Sequence, residues 1–174
     1  RTEARLGHVS EFVNVNLFGA WSQGDDYLAG DGKKVQADFE RGSLGGDLGL
    51  KLGKNQNLKM SAIRNLARDS DFAALGMDLR KDDTWLLNAD HNINFQNSKI
   101  QSWHTTAYLS KVNHLMDNLL KQLDPRMMNA NTTALSQNYG MRTEGKIVSN
   151  NINAYIGADT RIETTEGVRE REVL

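Results

Sequence analysis

The strongest constraint on the fold is a two-residue period that runs through most of the chain. Between Leu44 and Gly53, one parity holds only leucine and glycine, whereas the other holds glycine, aspartate and lysine. Successive side chains of a β-strand point to opposite faces, so this pattern predicts a strand with one apolar and one polar face. Such a strand needs an apolar medium against only one of its faces.

Segments with the same period recur along the chain, while the 3.6-residue period of amphipathic helices is nearly absent. The chain is therefore predicted to be all-β. Residues 1–6 are a candidate additional strand. Seven further strands are predicted at residues 11–23, 34–53, 58–69, 82–95, 99–113, 136–149 and 151–163.

The connections between these segments alternate between short and long. The short ones are rich in asparagine, which tolerates left-handed turn conformations, and lie at residues 54–57, 96–98 and 149–151. The long ones lie at residues 24–33, 70–81 and 114–135. Short turns at one rim and long loops at the other are typical of outer-membrane barrels. The predicted fold is an antiparallel up-and-down meander, a segment of a transmembrane β-barrel.

One observation on the predicted apolar faces conflicts with a transmembrane barrel, and another supports it. Arg64 and Arg68 fall on the apolar parity of their strand, so we expect them near the outer rim or at a β-bulge. Trp85 and Phe95 share a parity ten residues apart. A tilted strand of that length spans roughly 23 Å, close to the apolar band about 25 Å tall that aromatic girdles bracket.

Composition excludes several classes of function. The 174 residues suit one domain, and 21 Lys plus Arg against 22 Asp plus Glu leave a net charge of -1 without a basic block, so nucleic acid is not an expected partner. Cysteine is absent, which removes disulfides and thiolate chemistry. The four histidines form no HxH or HExxH motif, so the chain is predicted not to be an enzyme, and no cofactor is expected.

Candidate ligand residues cluster in the loop predicted at 114–135. His114, Met116, Met127 and Met128 offer imidazole and thioether groups, which suit copper. The alternative is that these methionines are flexible apolar residues that pack one loop on another. The spacing of Met116, Leu119, Leu120 and Leu123 also predicts a short amphipathic helix before Pro125.

Two further candidates lie on the polar parity of one predicted strand. His104 and Tyr108 are four residues apart, about 13 Å by strand rise. Each is expected either to line a substrate path or to hydrogen-bond to a domain inside the barrel.

Three segments, LGMDLRKDDTWLLNADHNI (75–93), IQSWHTTAYLSKVNHLMDNLLKQLDPRMMNA (100–130) and YGMRTEGKIV (139–148), resemble the barrel of bacterial TonB-dependent outer-membrane receptors. Residues 77–91 resemble a strand and loop of receptors for iron complexes or copper. The resemblance implies a larger barrel, occluded by a plug domain that TonB energises, and a metal complex such as a ferric siderophore as substrate. It also implies the bacterial outer membrane as location and its lipid as a partner.

No segment matches a plug domain or a TonB box, so residues 1–174 are expected to form a partial barrel of about seven strands. Two alternatives remain open. One is a complete small eight-stranded outer-membrane barrel that includes residues 1–6 in its first strand. The other is a soluble β-sandwich binding module, in which the apolar faces of two sheets pack together.

Overall fold

A computed structural model describes residues 1–150 and 152–174, and it contains ten strands among them. They are β1 (Thr2–Val9), β2 (Val13–Gly24), β3 (Tyr27–Leu28), β4 (Lys34–Val35), β5 (Phe39–Gly53), β6 (Gln56–Ser70), β7 (Asp78–Asn94), β8 (Ile100–Asp117), β9 (Met128–Ser149) and β10 (Ile152–Val173). None of the described residues forms a helix long and apolar enough to cross a membrane.

Eight of these strands form one antiparallel sheet in the order β1-β2-β5-β6-β7-β8-β9-β10. Each strand therefore pairs with the next long strand along the chain, and the short strands β3 and β4 pair with each other within one connection. This confirms the predicted all-β, up-and-down antiparallel meander. Within residues 1–150 and 152–174, β1 and β10 do not pair, so the sheet has two open edges and is not closed into an eight-stranded barrel.

Connections are sorted by length between the two ends of the sheet, as predicted. Short connections at 10–12, 54–55 and 95–99 lie at one end, which we call the short-turn rim. Asn97 and Asn150 have positive φ angles of 55° and 47°, the left-handed conformation that asparagine tolerates. The predicted turn at 149–151 includes Asn151, which lies outside the described residues. The longer connections, at 25–38, 71–77 and 118–127, lie at the opposite end, the long-loop rim.

The prediction of a loop over 114–135 with a short helix was wrong. β8 continues to Asp117 and β9 begins at Met128, and residues 118–127 contain no helix. The Asn118 side chain explains this extension, because its amide donates to the Met128 carbonyl at 2.9 Å and accepts from the Ala130 N–H at 2.8 Å. Pairing between strands thus overrides the local helical spacing.

Other strand bounds also differ from the prediction. Lys34 and Val35 belong to the small β3-β4 hairpin, so β5 begins only at Phe39. The Asp26 carboxylate accepts from the Ala37 N–H at 2.9 Å and thereby fixes the segment between the hairpin and β5. The candidate strand at residues 1–6 is present as β1, and β10 extends ten residues beyond the predicted end at 163.

One face of the sheet is apolar across its whole width. A single register row joins apolar or glycine residues from seven neighbouring strands: Leu17, Gly46, Ala62, Leu87, Leu109, Tyr139 and Ile162. Large side chains on this face remain exposed, with Leu17 at 53% and Ile162 at 47%. In the described part of the chain, no second sheet packs on this face, so the arrangement differs from a soluble sandwich.

The two arginines on the apolar parity lie toward the long-loop rim, as one of the two predicted explanations required. Arg64 is opposite Trp85 and lies 5.3 Å from the centre of its ring. Arg68 forms an ion pair with Asp83 at 2.5 Å. Neither arginine lies at a register shift of its strand. The apolar band therefore ends near the Trp85 row, and charged groups follow it.

Candidate functional site

The second face of the sheet is polar at its centre. One register row joins Asn16, Asp47, Ser61, Asn88 and Tyr108, each contributed by a different strand. A groove of about 370 Å³ lies over the first four of these residues and also reaches Asp90. We call this surface the polar face. The residues on this face are the ones that the period-two alternation of the sequence assigns to the polar side of each strand.

His104 lies on the polar face within a small hydrogen-bonded cluster. Its Nε2 is 3.2 Å from Asp90 Oδ1, and the same carboxylate accepts from Thr106 Oγ1 at 2.6 Å and from Asn88 at 2.5 Å. A carboxylate that holds one imidazole nitrogen fixes the ring orientation and leaves the other nitrogen available to a ligand. The cluster therefore holds the His104 ring in a fixed orientation, with one ring nitrogen available to bind a ligand.

Tyr108 shares the polar face with His104, as the strand spacing predicted. Gly140 of β9 lies opposite Tyr108, and a Cβ on this glycine would lie 2.7 Å from the Tyr108 hydroxyl. The ring thus lies across the neighbouring strand. His104 and Tyr108 remain about 13 Å apart along β8, so they act as separate contacts.

His114 has a similar partner further toward the long-loop rim. Its Nδ1 lies 3.0 Å from Asp82 Oδ2, and the other oxygen of that carboxylate accepts from Thr84 at 2.7 Å. His104 and His114 are ten residues apart on one strand, about 33 Å by strand rise. They belong to two separate sites on the polar face.

The methionines do not form one cluster with His114. Met116 pairs with Thr132, whereas Met128 pairs with Val173, so the two are separated by four residues along β9, about 13 Å. Met127 lies in the connection before β9 and is 65% exposed. The structure therefore places His114, Met116 and Met127 at one end of the sheet without bringing Met116 beside Met128.

Sequence reasoning missed an apolar ladder on the polar face. Phe18, Ile63 and Leu86 occupy one register row, with Gly45 between Phe18 and Ile63. The Phe18 ring covers Gly45, because a Cβ there would lie 2.5 Å from Phe18 Cζ. Each residue fits the general alternation poorly, and only the register of three strand pairs reveals that they are neighbours.

Sequence reasoning also missed a buried charged network at the long-loop rim. Asp78 is fully buried. Its Oδ1 lies 2.6 Å from Lys121 Nζ and accepts from the Phe72 N–H at 2.8 Å. Arg80 donates from Nε to Asp117 at 3.0 Å and lies 3.5 Å from Asp78. These contacts join the 71–77 and 118–127 connections to the ends of β7 and β8.

Two carboxylates at this rim are perturbed in opposite directions. The Ala37 N–H, followed by the Lys34 ammonium 3.0 Å away, lowers the pKa of Asp26. Burial, followed by repulsion from the Asp78 and Asp38 carboxylates, raises the pKa of Asp71 to about 6. The rim therefore concentrates more negative charge around Asp71 than Arg80 and Lys121 neutralise.

Comparisons with known proteins support the fold. A solved structure described as the copper transporter OprC superposes with a TM-score of 0.79, covering 92% of this chain and 26% of that one, at 16% sequence identity. The chain thus spans about a quarter of the length of that structure. No protein-family model and no curated protein matches the sequence. The likeness is one of fold, an antiparallel up-and-down run of β-strands.

Proposed function

We propose that the chain is part of the outer-membrane barrel of a TonB-dependent receptor that takes up a metal complex, such as a ferric siderophore. The observation that supports this most is the superposition of nearly the whole sheet on a copper transporter at a TM-score of 0.79. The sequence resemblance to receptors for iron complexes or copper agrees with it. A transporter barrel also agrees with the prediction that the chain is not an enzyme.

In this proposal each surface of the sheet has a separate partner. Outer-membrane lipid covers the apolar face, which exposes Leu17, Leu87 and Ile162. The polar face lines the lumen, where the parent receptor's plug domain packs and transmits energy from TonB. Further strands of the parent barrel pair with the edges β1 and β10.

Copper is the second candidate substrate, and the ligand chemistry favours it. Asp90 and Asp82 orient His104 and His114, and Met127 and Met128 present thioethers at the long-loop rim. Thioether groups select copper in its Cu(I) state, and imidazole groups also suit copper. Whether the substrate is an iron complex or copper, Tyr108 contributes a hydroxyl to the wall of the lumen.

The test is uptake of radioactive iron complexes and of radioactive copper by cells that express the parent receptor, compared with cells that lack it. Uptake of one of the two is expected to depend on both the receptor and TonB. His104→Ala and His114→Ala should lower copper uptake, whereas His8→Ala, a histidine on the apolar parity of β1, should leave it unchanged. Uptake of both metals that does not change on deletion of the receptor contradicts the proposal.

A further inference from the structure

Three carboxylates from two different connections converge at the long-loop rim. Asp26 and Asp38 come from the connection between β2 and β5, and Asp71 comes from the connection between β6 and β7. One carboxylate oxygen from each residue lies within 4.8 Å of the other two. We call these residues the aspartate triad. It is separate from His104 and His114, and its ligands are all oxygen atoms.

Asp71 gives the triad an unsatisfied acceptor. Its side chain is only 8% exposed, and its Oδ1 is buried without a hydrogen-bond partner. The nearest cation is Arg80, whose Nη1 lies 3.7 Å away, beyond hydrogen-bonding distance, while its Nε donates to Asp117 at 3.0 Å. Burying a carboxylate without a hydrogen bond is costly, and a cation in contact with this oxygen offsets that cost.

In the rest of the triad, the Asp26 carboxylate and the Asp38 backbone are held in place. Asp26 accepts from the Ala37 N–H at 2.9 Å and pairs with Lys34 at 3.0 Å, and each of its oxygens can accept a second contact. The Asp38 carbonyl accepts from the Asp71 N–H at 2.9 Å, which fixes the two connections side by side. The backbone therefore preorganises the triad, and its negative charge is left incompletely compensated.

The chemistry of the donors selects a hard divalent cation. Carboxylate oxygens suit calcium and magnesium, whereas thioether and imidazole groups suit copper. Calcium binds oxygens at about 2.3–2.6 Å, so two ligands on opposite sides lie about 5 Å apart, while magnesium at about 2.0–2.1 Å holds them within about 4.2 Å. The three oxygens lie within 4.8 Å of one another, so one ion can contact all of them. The flexible coordination of calcium accepts such a set more readily than the near-octahedral shell of magnesium, which usually keeps several waters.

We propose that Asp26, Asp38 and Asp71 form a calcium site that ties the 25–38 and 71–77 connections together at the long-loop rim. The ion satisfies Asp71 Oδ1 and offsets the repulsion among the three carboxylates. Calcium is a resident structural ion here, so this site is independent of which metal complex the parent receptor transports. Its expected effect is to order the connections that surround the mouth of the barrel.

The test uses the full parent protein, purified in detergent and treated with a chelator, then titrated with calcium chloride in a calorimeter. One calcium ion is expected to bind with a Kd of about 10⁻⁴ to 10⁻³ M, the range of extracellular calcium modules with few charged ligands. Asp71→Asn should weaken binding about tenfold or more, because it removes the buried charge. The fold should tolerate this change, since Asp71 Oδ1 makes no hydrogen bond in the native state.

Asp31→Asn is the matched control. Asp31 lies in the connection that holds Asp26 and Asp38 and pairs with Lys33 at 3.0 Å, outside the triad. Its substitution therefore removes an equal charge without removing a proposed ligand. Calcium should also slow protease cleavage within residues 25–38 in the native protein and in Asp31→Asn, but not in Asp71→Asn. Absence of calcium binding at about 10 mM, or equal affinity in Asp71→Asn and the native protein, overturns the proposal.

Discussion

Among single residues, the glycines of β5 differ in whether neighbouring side chains leave room for a Cβ atom. A Cβ on Gly45 would lie 2.5 Å from Phe18 Cζ and 3.0 Å from the Ala62 carbonyl oxygen. By contrast, nothing lies within 4 Å of a Cβ on Gly53 at the end of the same strand. Gly45 is therefore required by the ring that crosses it, while Gly53 is not constrained by packing.

Gly45→Ala is expected to destabilise the folded protein by about 1–3 kcal/mol, because the added methyl group displaces the Phe18 ring or the β6 backbone. Gly53→Ala should be neutral or stabilise by up to about 1 kcal/mol, through a less flexible unfolded chain. The free energy of unfolding of the parent receptor in detergent, measured in urea, separates the two variants. Equal effects of both substitutions contradict the assigned position of Phe18.

Residue pairs were predictable from the sequence only where they lie on one strand. The spacing of His104 and Tyr108 was read correctly, since both belong to β8 and have the same parity. The partner of His104 was not predictable. Asp90 is adjacent to His91 in sequence but hydrogen-bonds to His104, fourteen residues away on the neighbouring strand. Such contacts depend on strand register, which alternation alone does not determine.

Among the elements of the fold, β5 has one apolar and one polar face. Leu48 belongs to a register row with Val15, Met60 and Ala89, all on the apolar face. Asp47 belongs to the neighbouring row on the polar face with Asn16 and Ser61. The two adjacent residues therefore report on opposite sides of the sheet.

In the proposed barrel, Leu48→Arg places a charge in hydrocarbon near the membrane midplane and is expected to destabilise the protein by roughly 2–4 kcal/mol. Asp47→Arg introduces the same side chain into the polar lumen and should have a much smaller effect. Unfolding of the parent receptor in lipid vesicles, followed by tryptophan fluorescence, measures the difference. A larger loss for Asp47→Arg than for Leu48→Arg contradicts the assigned faces of β5.

The existence of the long strands was predictable, but their ends were not. Period-two alternation identifies β7 and β8 because apolar and polar residues alternate over much of each strand, despite Leu86 on the polar face of β7. The ends of β8 and β9 depend instead on Asn118, whose side chain bonds the backbone at Met128 and Ala130. Local spacing in this region favoured a helix, and pairing across strands determined the structure.

At the scale of the whole molecule, the sheet is open and has very little apolar interior. Among the described residues, the buried hydrophobic side chains are Leu79 and Ala130, both close to the long-loop rim. A sheet that exposes so much apolar surface is stable only when another medium covers it. Lipid on one face and further strands at both edges supply that cover in the proposed barrel.

In the proposed barrel lipid covers the apolar face, and spin labels on single introduced cysteines can detect that lipid. The sequence has no cysteine, so each introduced label is unique. Labels belong at three residues of the apolar row, and at one adjacent residue of each on the polar face. The apolar residues are Leu17, Leu87 and Ile162, and their polar neighbours are Asn16, Asn88 and Arg161.

In the parent receptor reconstituted in lipid, labels at Leu17, Leu87 and Ile162 should collide frequently with oxygen dissolved in the bilayer. Labels at Asn16, Asn88 and Arg161 should be shielded from oxygen and should instead meet a water-soluble nickel reagent wherever the lumen admits it. Rigid labels at Leu17, Leu87 and Ile162 that neither reagent reaches would contradict the account, because that result describes a packed protein core on the apolar face.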